Sequence, residues 1–208
     1  MTRIDSIASQ PDRAGRHAVR FEDGTQMRLY RQTVQDFGLY PGLELSEHEM
    51  AALKTAAGQM SAKMRAVRIV SATNVSKRDL EQRLIHKGEN PDQAKEAVAW
   101  MSEMNLLDDR KTAEQIVHRC ISKGYGVSRA KQALYEKRIP KEYWQEALAD
   151  YPDQSEKIAE FLRSRLGEQW EEKDLRRATD ALLRRGHSYS EIRRGLQMLT
   201  DQTDFLED

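Results

Sequence analysis

Residues 75–98 read VSKRDLEQRLIHKGENPDQAKEAV, and this stretch decides the fold. Ser76 followed by Asp79 has the spacing of a capping box that begins a helix, and Gly88 ends that helix. Pro91 suits the first position of a second helix, because its missing N–H would have no helical partner there. The side chains expected to face the core are Leu80, Leu84, Ala94, Ala97, Val98, Met101 and Met104.

The same pattern returns further along the chain. A shift of fifty residues places Leu134 on Leu84 and Lys137 on Lys87. A third copy is expected from helices at about 155–166, 173–185 and 189–200. Each three-helix unit is too small to hide its apolar face alone, so we predict that the units stack into an elongated curved solenoid.

Two glycines mark a second internal match. Gly124 and Gly186 each end a predicted helix, and each is followed four residues later by a serine, Ser128 or Ser190. We expect a helix C-cap and a turn at each glycine. We also expect the two serines to be the N-caps of the helices that follow.

The first part of the chain has the alternation typical of strands. Residues 16–31 predict a hairpin whose three-residue loop pairs Phe21 with Thr25 and leaves Gly24 in the left-handed conformation. A two-residue loop would pair Phe21 with Gln26 and put the two apolar rows on opposite faces, so the three-residue loop is preferred.

A third strand and a long helix are expected beside this hairpin. Ile4 and Ile7 fit a strand that covers the otherwise marginal two-stranded ribbon. Ser46 with Glu49 is a second capping box, from which a helix is expected to run to about Val70. Its apolar stripe is expected to contain Met50, Leu53, Ala57, Met60, Met64 and Val67.

Composition narrows the class of protein. Lys plus Arg and Asp plus Glu number 34 each among the 208 residues, so the net charge is zero, which argues against a uniformly basic nucleic-acid binder. The mean hydropathy is −0.81, and no apolar run reaches the roughly 18 residues of a membrane span. We therefore expect a cytoplasmic protein without membrane association and, given its charged surface, a monomer.

The residue types that would support catalysis are scattered. None of the five histidines has the spacing of a zinc site, and no nucleophile elbow or phosphate-binding glycine loop is present. The single cysteine, Cys120, lies at helical spacing from Ile116 and Val117, which is typical of a core position. We therefore predict a binding or regulatory protein that is not an enzyme and uses no metal or cofactor.

The chain carries three short motifs in a fixed order. They are residues 75–80 with Leu84 and Lys87-Gly88, then Leu106-Leu107-Asp108-Asp109 with Ala113, and then Leu183-Arg184-Arg185-Gly186-His187-Ser188 with Ile192. In this order they resemble the three repeats of the RecX family of recombination regulators. The resemblance covers about residues 60–200, with His187 where the family pattern has an aromatic residue and Arg138 where it has glycine.

The resemblance implies a fold similar to three stacked three-helix bundles. It also implies a protein that binds the RecA recombinase filament with its DNA and suppresses its ATPase, strand-exchange and coprotease activities in recombinational repair and the SOS response. The expected division is a β-containing module (1–45), a connector helix with the first repeat (46–108), a second repeat (109–152), and a third repeat with an acidic tail (153–208).

Charge placement indicates which surface meets a partner. Residues 109–152 carry nine basic and six acidic side chains, and arginines are frequent in the third repeat. Guanidinium groups bind carboxylates and phosphates alike through their planar fork. The candidate partner- or DNA-binding residues are Lys123, Arg129, Lys131, Lys137, Arg138, Lys141, Arg176, Arg177, Arg184, Arg185, Arg193 and Arg194.

Three functions stay open: a regulator that lies on a recombinase filament, a helix-turn-helix type DNA-binding module, and a helical interaction scaffold without nucleic acid. Zero net charge weighs against the second, because phosphate neutralisation supplies most non-specific affinity for DNA. The family resemblance weighs against the third, and weak direct DNA binding is compatible with the first. Trp170 is expected to pack between units rather than to anchor a partner.

Overall fold

The chain forms a small sheet first and helices after it. The computed structural model describes residues 1–167 and 170–204, the last four by their backbone. Its strands are β1 (Thr2–Ile7), β2 (Arg16–Phe21), β3 (Gln26–Tyr30) and β4 (Glu44–Leu45). Its helices are α1 (Arg31–Asp36), α2 (Glu47–Ala72), α3 (Lys77–His86), α4 (Pro91–Glu103), α5 (Asp109–Ser122), α6 (Val127–Glu136), a 3₁₀ turn (Lys141–Tyr143), α7 (Trp144–Leu148), α8 (Ser155–Arg165), α9 (Glu172–Arg184) and α10 (Tyr189–Asp204).

The strands form one antiparallel sheet in the order β3-β2-β1-β4. The Phe21 amide donates to the Thr25 carbonyl at 3.0 Å, and Gly24 has a φ of +82°. The three-residue hairpin loop is therefore confirmed. Ile4 and Ile7 both lie in β1, which confirms the third strand.

Two short elements were not predicted from the sequence pattern. Helix α1 follows β3 without a loop, and its N-cap Tyr30 makes no side-chain capping bond. Strand β4 has two residues, of which Leu45 pairs with Thr2 of β1. Neither element is long enough for a hydrophobic period to repeat, so periodicity could not identify it.

Helix α2 packs in two hydrophobic cores. The Glu49 amide donates to the Ser46 hydroxyl, and the Ser46 amide donates to the Glu49 carboxylate at 2.8 Å, which confirms the capping box. Leu53 is buried with the sheet, whereas Ala62 is buried with α3 and α4. Leu53 and Ala62 are about two and a half helical turns apart, so the two cores contact opposite faces of α2.

The continuous apolar stripe predicted for α2 is therefore wrong at Met64, whereas Val67 packs against the core that contains Ala62. Met64 is 37% exposed, and the buried positions there are Ala62, Ala66 and Ile69. The assignment of Met104 to the core is also wrong, because this residue is the C-cap of α4 and is 57% exposed. A single stripe assumes one packing partner along the whole helix, whereas α2 has two on opposite sides.

The fifty-residue repeat is visible in the helix bounds. Helices α3 and α6 each have ten residues and begin fifty residues apart. Each has a lysine C-cap followed by a left-handed residue, which is Gly88 with φ +89° after α3 and Arg138 with φ +53° after α6. Arg138 adopts this conformation at a cost of about 1–2 kcal/mol, because it has a Cβ that glycine lacks.

The N-caps of α6 and α10 correct the sequence prediction. Gly126 is the N-cap of α6, so Ser128 lies inside the helix. Ser188 caps α10, because its hydroxyl accepts from the Glu191 amide at 3.3 Å and its amide donates to the Glu191 carboxylate at 2.6 Å. Ser190 therefore lies inside α10. The match between the two glycines aligned the wrong serines, because a capping box needs Glu three residues after its serine.

The chain divides into two compact units, Met1–Leu107 and Asp108–Asp208. Within the described residues, each unit has two hydrophobic clusters, which contain Leu53 and Leu84 in the first unit and Leu134 and Leu162 in the second. The mainly helical fold with a small N-terminal sheet is confirmed. The four-module division and the solenoid stay predictions, and residues 205–208 of the predicted acidic tail lie outside the described residues.

We predict that Ser188→Ala lowers the free energy of unfolding by about 1 kcal/mol, because it removes the N-cap of α10. Ser190→Ala is the matched control and should change stability less, because Ser190 is the second residue of α10 and not its N-cap, although its hydroxyl lies 3.0 Å from that of Ser188. Urea unfolding of both variants measures the difference. Equal losses in the two variants would contradict the cap assignment.

Candidate partner-binding surface

The second unit contains all twelve candidate residues. Those on and around α6 are Lys123, Arg129, Lys131, Lys137, Arg138 and Lys141. Those on α9 and α10 are Arg176, Arg177, Arg184, Arg185, Arg193 and Arg194, with Arg185 as the C-cap of α9. The structure thus places them on two groups of helices rather than on one.

Two turns of this unit meet through their backbones. The Gly126 amide donates to the Arg185 carbonyl at 3.0 Å, and the Ser128 amide donates to the Gly186 carbonyl at 3.3 Å. A Cβ on Gly186 would lie 2.3 Å from the backbone nitrogen of Arg129, and Gly186 has a φ of +87°. Glycine is required here both by space and by conformation. We call residues 123–129 with 185–188 the turn junction.

Two side chains hold the turn junction from inside. His187 is buried, and its Nε2 lies 2.9 Å from the Gly124 carbonyl oxygen. Because a carbonyl only accepts, Nε2 carries the hydrogen. The Tyr151 hydroxyl donates to the Tyr125 carbonyl at 2.6 Å, and burial raises the pKa of Tyr151 to about 12, so it stays a donor at neutral pH. His187 therefore occupies a buried place, although the family pattern has an aromatic residue there.

The turn junction brings two of the candidate arginines close together, and both have contacts within the chain. The Arg185 guanidinium lies over the Phe161 ring at 4.5 Å from its centroid. Arg129 Nη1 donates to the Glu136 carboxylate at 3.0 Å. A guanidinium engaged in this way is partly withdrawn from an external partner, so these two arginines stabilise the unit more than they extend its surface.

The outer face of α9 is basic and exposed. Ala178 and Leu182 are buried on its inner side, while Arg176, Arg177 and Arg184 are exposed. Arg177 has a long ion pair of 3.8 Å with its neighbour Asp174. In the part of the chain that the structure describes, Arg176 and Arg184 form no ion pair. This face therefore presents guanidinium groups to solvent.

Helix α10 also presents exposed arginines, but one of them is paired with a carboxylate. Arg193 is exposed and has no ion pair among the described residues, whereas Arg194 Nη2 lies 3.2 Å from the Asp153 carboxylate. Ile192 beside them is buried in the core that α8, α9 and α10 share. Neighbouring arginines on one helix thus differ in how far they are available to a partner.

Helix α6 presents an exposed aromatic residue that the sequence analysis missed. Tyr135 is 72% exposed, and it lies one turn from Lys131 and three residues before Arg138. Ala130 and Leu134 occupy the buried side of this helix. A large aromatic residue at an outward position of an amphipathic helix was the available signal, because core packing does not need it there.

Other sequence predictions concern single side chains. Cys120 is buried as expected, and burial raises the pKa of its thiol. Trp170 keeps 40% of its surface exposed, so packing covers only part of the indole. Among the residues the structure describes, no three His, Cys, Asp or Glu side chains are grouped as a metal site requires. Over the same residues, no helix is long and apolar enough to cross a bilayer.

Comparison with known proteins identifies the family. A family model described as the second three-helix domain of RecX matches residues 108–148, which contain α5, α6 and α7. The regulatory protein RecX of Xanthomonas axonopodis pv. citri is 31% identical over 133 residues, which cover 62% of this chain and 82% of the relative. The chain belongs to the RecX family.

Further RecX proteins show the same relationship. The regulatory protein RecX of Vibrio parahaemolyticus is 27% identical over 142 residues, covering 67% of this chain and 92% of the relative. A crystal structure of a regulatory protein RecX superposes with a TM-score of 0.63 and 23% identity over 97% of this chain and 100% of the other. The Xanthomonas and Vibrio proteins are related to this chain in sequence, and the crystal structure shows that the RecX fold is shared.

We predict that Gly186→Ala lowers the free energy of unfolding by more than about 2 kcal/mol, because alanine at this φ is strained and its Cβ would collide with the Arg129 backbone. Gly167→Ala is the control, because a Cβ there meets open space and its φ is not left-handed. Thermal and urea unfolding measure both variants. A Gly186→Ala protein as stable as Gly167→Ala would show that the turn junction does not hold the unit together.

Proposed function

We propose that this RecX-family chain binds the filament of the RecA recombinase on DNA and lowers its ATPase, strand-exchange and coprotease activities. It would act in the cytoplasm, as a monomer and without a cofactor, in recombinational repair and the SOS response. Family membership supports the choice of partner. The exposed arginines of α9 and α10 support the choice of contact surface.

The choice of α9 and α10 as the contact surface rests on three arginines without ion pairs. Arg176, Arg184 and Arg193 are exposed and form no ion pair within the described residues. Their guanidinium donors are free to bind carboxylates or phosphates on the outside of a protein–DNA filament. Arg185 and Arg194 have contacts inside the chain, so they contribute less to binding.

We predict that the triple reversal Arg176→Glu, Arg184→Glu and Arg193→Glu raises the concentration for half-inhibition of RecA ATPase by about tenfold or more. Like charges placed in an interface cost several kcal/mol of binding, whereas exposed unpaired side chains contribute little to folding. The assay is steady-state ATP hydrolysis by RecA on single-stranded DNA. Circular dichroism and the melting temperature should stay close to those of the parent protein.

The matched control is the reversal Arg20→Glu, Arg78→Glu and Lys95→Glu in the first unit. These three side chains are also exposed and form no ion pair within the described residues. Both variants replace three cations by glutamate, so the change in net charge is the same. Equal loss of inhibition in both triple variants would show that net charge, and not the α9–α10 surface, governs binding. A parent protein that fails to inhibit RecA ATPase would contradict the proposed function itself.

Direct DNA binding is the second candidate function, and the exposed Tyr135 favours it. An aromatic ring beside two cations is the arrangement on which single-stranded bases stack while the backbone is neutralised. Lys131 lies one turn before Tyr135 on α6, and Arg138 follows the C-cap of this helix. This surface is separate in sequence from the arginines of α9 and α10, so the two functions can be tested independently.

We predict that Tyr135→Ala weakens binding to a fluorescent single-stranded oligonucleotide by roughly fivefold or more, because stacking contributes about 1–3 kcal/mol per base. Tyr40→Ala is the control, since Tyr40 is 58% exposed in the first unit. Fluorescence anisotropy across a salt series measures both. An unchanged affinity in Tyr135→Ala would exclude this tyrosine as a base-stacking residue.

A further inference from the structure

The first unit contains a cavity of about 440 Å³ between the sheet and helices α2 and α3. Five of its lining side chains are cationic: Arg16, Arg65, Arg68, Arg83 and Lys87. No carboxylate lines it. These cations come from β2, from α2, from α3 and from the C-cap of α3, so the fold and not the local sequence brings them together.

Three of the arginines pair with carboxylates that do not line the cavity. Arg65 Nε lies 2.6 Å from the nearly buried Glu89 carboxylate. Arg83 Nη2 lies 3.1 Å from the carboxylate of Asp79, which is also nearly buried. Arg16 Nη2 lies 2.8 Å from Asp12, and hydrogen bonds from the Arg16 backbone and side chain lower the pKa of Asp12 to about 2. These pairs hold the guanidinium groups in place before any ligand arrives.

The other two cations are not neutralised. Arg68 Nη2 donates to the Tyr30 hydroxyl at 2.6 Å, and its Nε donates to the Met64 carbonyl at 3.2 Å, so both partners are uncharged. Lys87 and Arg68 form no ion pair within the described residues. Five cations with three paired carboxylates leave two positive charges facing the cavity. An anion would compensate them.

The volume of the cavity and its guanidinium groups indicate the class of anion that it binds. Cavities of roughly 300–1,000 Å³ enclose small ligands. Guanidinium groups bind phosphate oxygens through two parallel hydrogen bonds. We propose that this cationic cavity binds a phosphoanhydride chain, as found in nucleoside triphosphates and in inorganic polyphosphate.

A nucleic-acid backbone fits the cavity less well than a short phosphoanhydride chain. A backbone carries one negative charge per nucleotide along an extended strand. A triphosphate brings about three or four charges into one small volume, which matches several cations around one cavity. Ile69 and Ala72 also line the cavity and give an apolar contact that a nucleoside could use.

The test is isothermal titration calorimetry of the full chain with inorganic tripolyphosphate. The double variant Arg68→Gln and Lys87→Gln removes the two uncompensated charges, and glutamine at 68 keeps a donor for Tyr30. We expect binding to weaken by about tenfold or more, because each removed cation loses a charge-assisted hydrogen bond to a phosphate oxygen. The control is Arg78→Gln with Lys95→Gln, two exposed cations of the same unit that do not line the cavity.

Every outcome of this titration decides the proposal. Absence of tripolyphosphate binding by the parent, or equal weakening in the two double variants, would overturn it. If Arg68→Gln with Lys87→Gln melts early, the single variant Lys87→Gln replaces it, because Lys87 is exposed and has no ion pair among the described residues. Binding that is retained in full by a folded Lys87→Gln protein in that case would also overturn the proposal.

Titrations with ATP and with an oligonucleotide show whether the cavity binds a nucleotide, a phosphate chain alone or a nucleic-acid backbone. Tighter binding of ATP than of tripolyphosphate supports a nucleotide, and equal affinities support recognition of the phosphate chain alone. A single-stranded oligonucleotide without terminal phosphates should not compete with tripolyphosphate, and full competition would overturn the proposal in favour of a backbone site. No recombinase is present in these titrations, so their failure leaves the proposed filament function unaffected.

Discussion

Helix α2 contacts two hydrophobic cores on opposite faces, and the first unit depends on this. Four short strands are marginal by themselves, and the sheet becomes stable because Leu53 and its neighbours on α2 complete its core. Ala62 and Ala66, on the other face, are small enough for α3 and α4 to pack closely against the same helix. One continuous helix therefore joins the sheet to α3 and α4. Arg65 and Arg68 lie on this helix and line the cationic cavity.

The second unit is held at the turn junction by direct contact between backbones. No side chain lies between the facing turns there, because Gly126 and Gly186 leave room only for amides and carbonyls. Those hydrogen bonds satisfy polar groups at the ends of α6 and α9 that helices leave unpaired. The buried His187 ring then fills the space beside them and bonds to a carbonyl of the facing turn. The same junction lies between the end of α9 and the start of α10.

Local signals in the sequence predicted the elements whose ends depend on nearby residues. The hairpin loop, the start of α2 and the bounds of α3 follow from turn chemistry and capping within a few residues. The prediction was wrong where a distant partner decides the outcome. Gly126 and not Ser128 is the N-cap of α6, at a turn whose amides donate to carbonyls of the turn after α9. Met64 is exposed, because the second core lies on the other face of its helix. The cationic cavity could not be predicted either, since Arg16 and Lys87 are far apart in the sequence.

Net charge says little about the surfaces of this protein, because the pairing of each cation decides its role. Arg193 and Arg194 are neighbours with the same chemistry, yet Asp153 neutralises only Arg194. Exposed arginines on the outer faces of helices suit an extended anionic partner, whose charges are spread over a surface and screened by salt. Cations that converge around one cavity suit a small anion with several charges close together. A chain of zero net charge can therefore carry two anion-binding surfaces of different kinds.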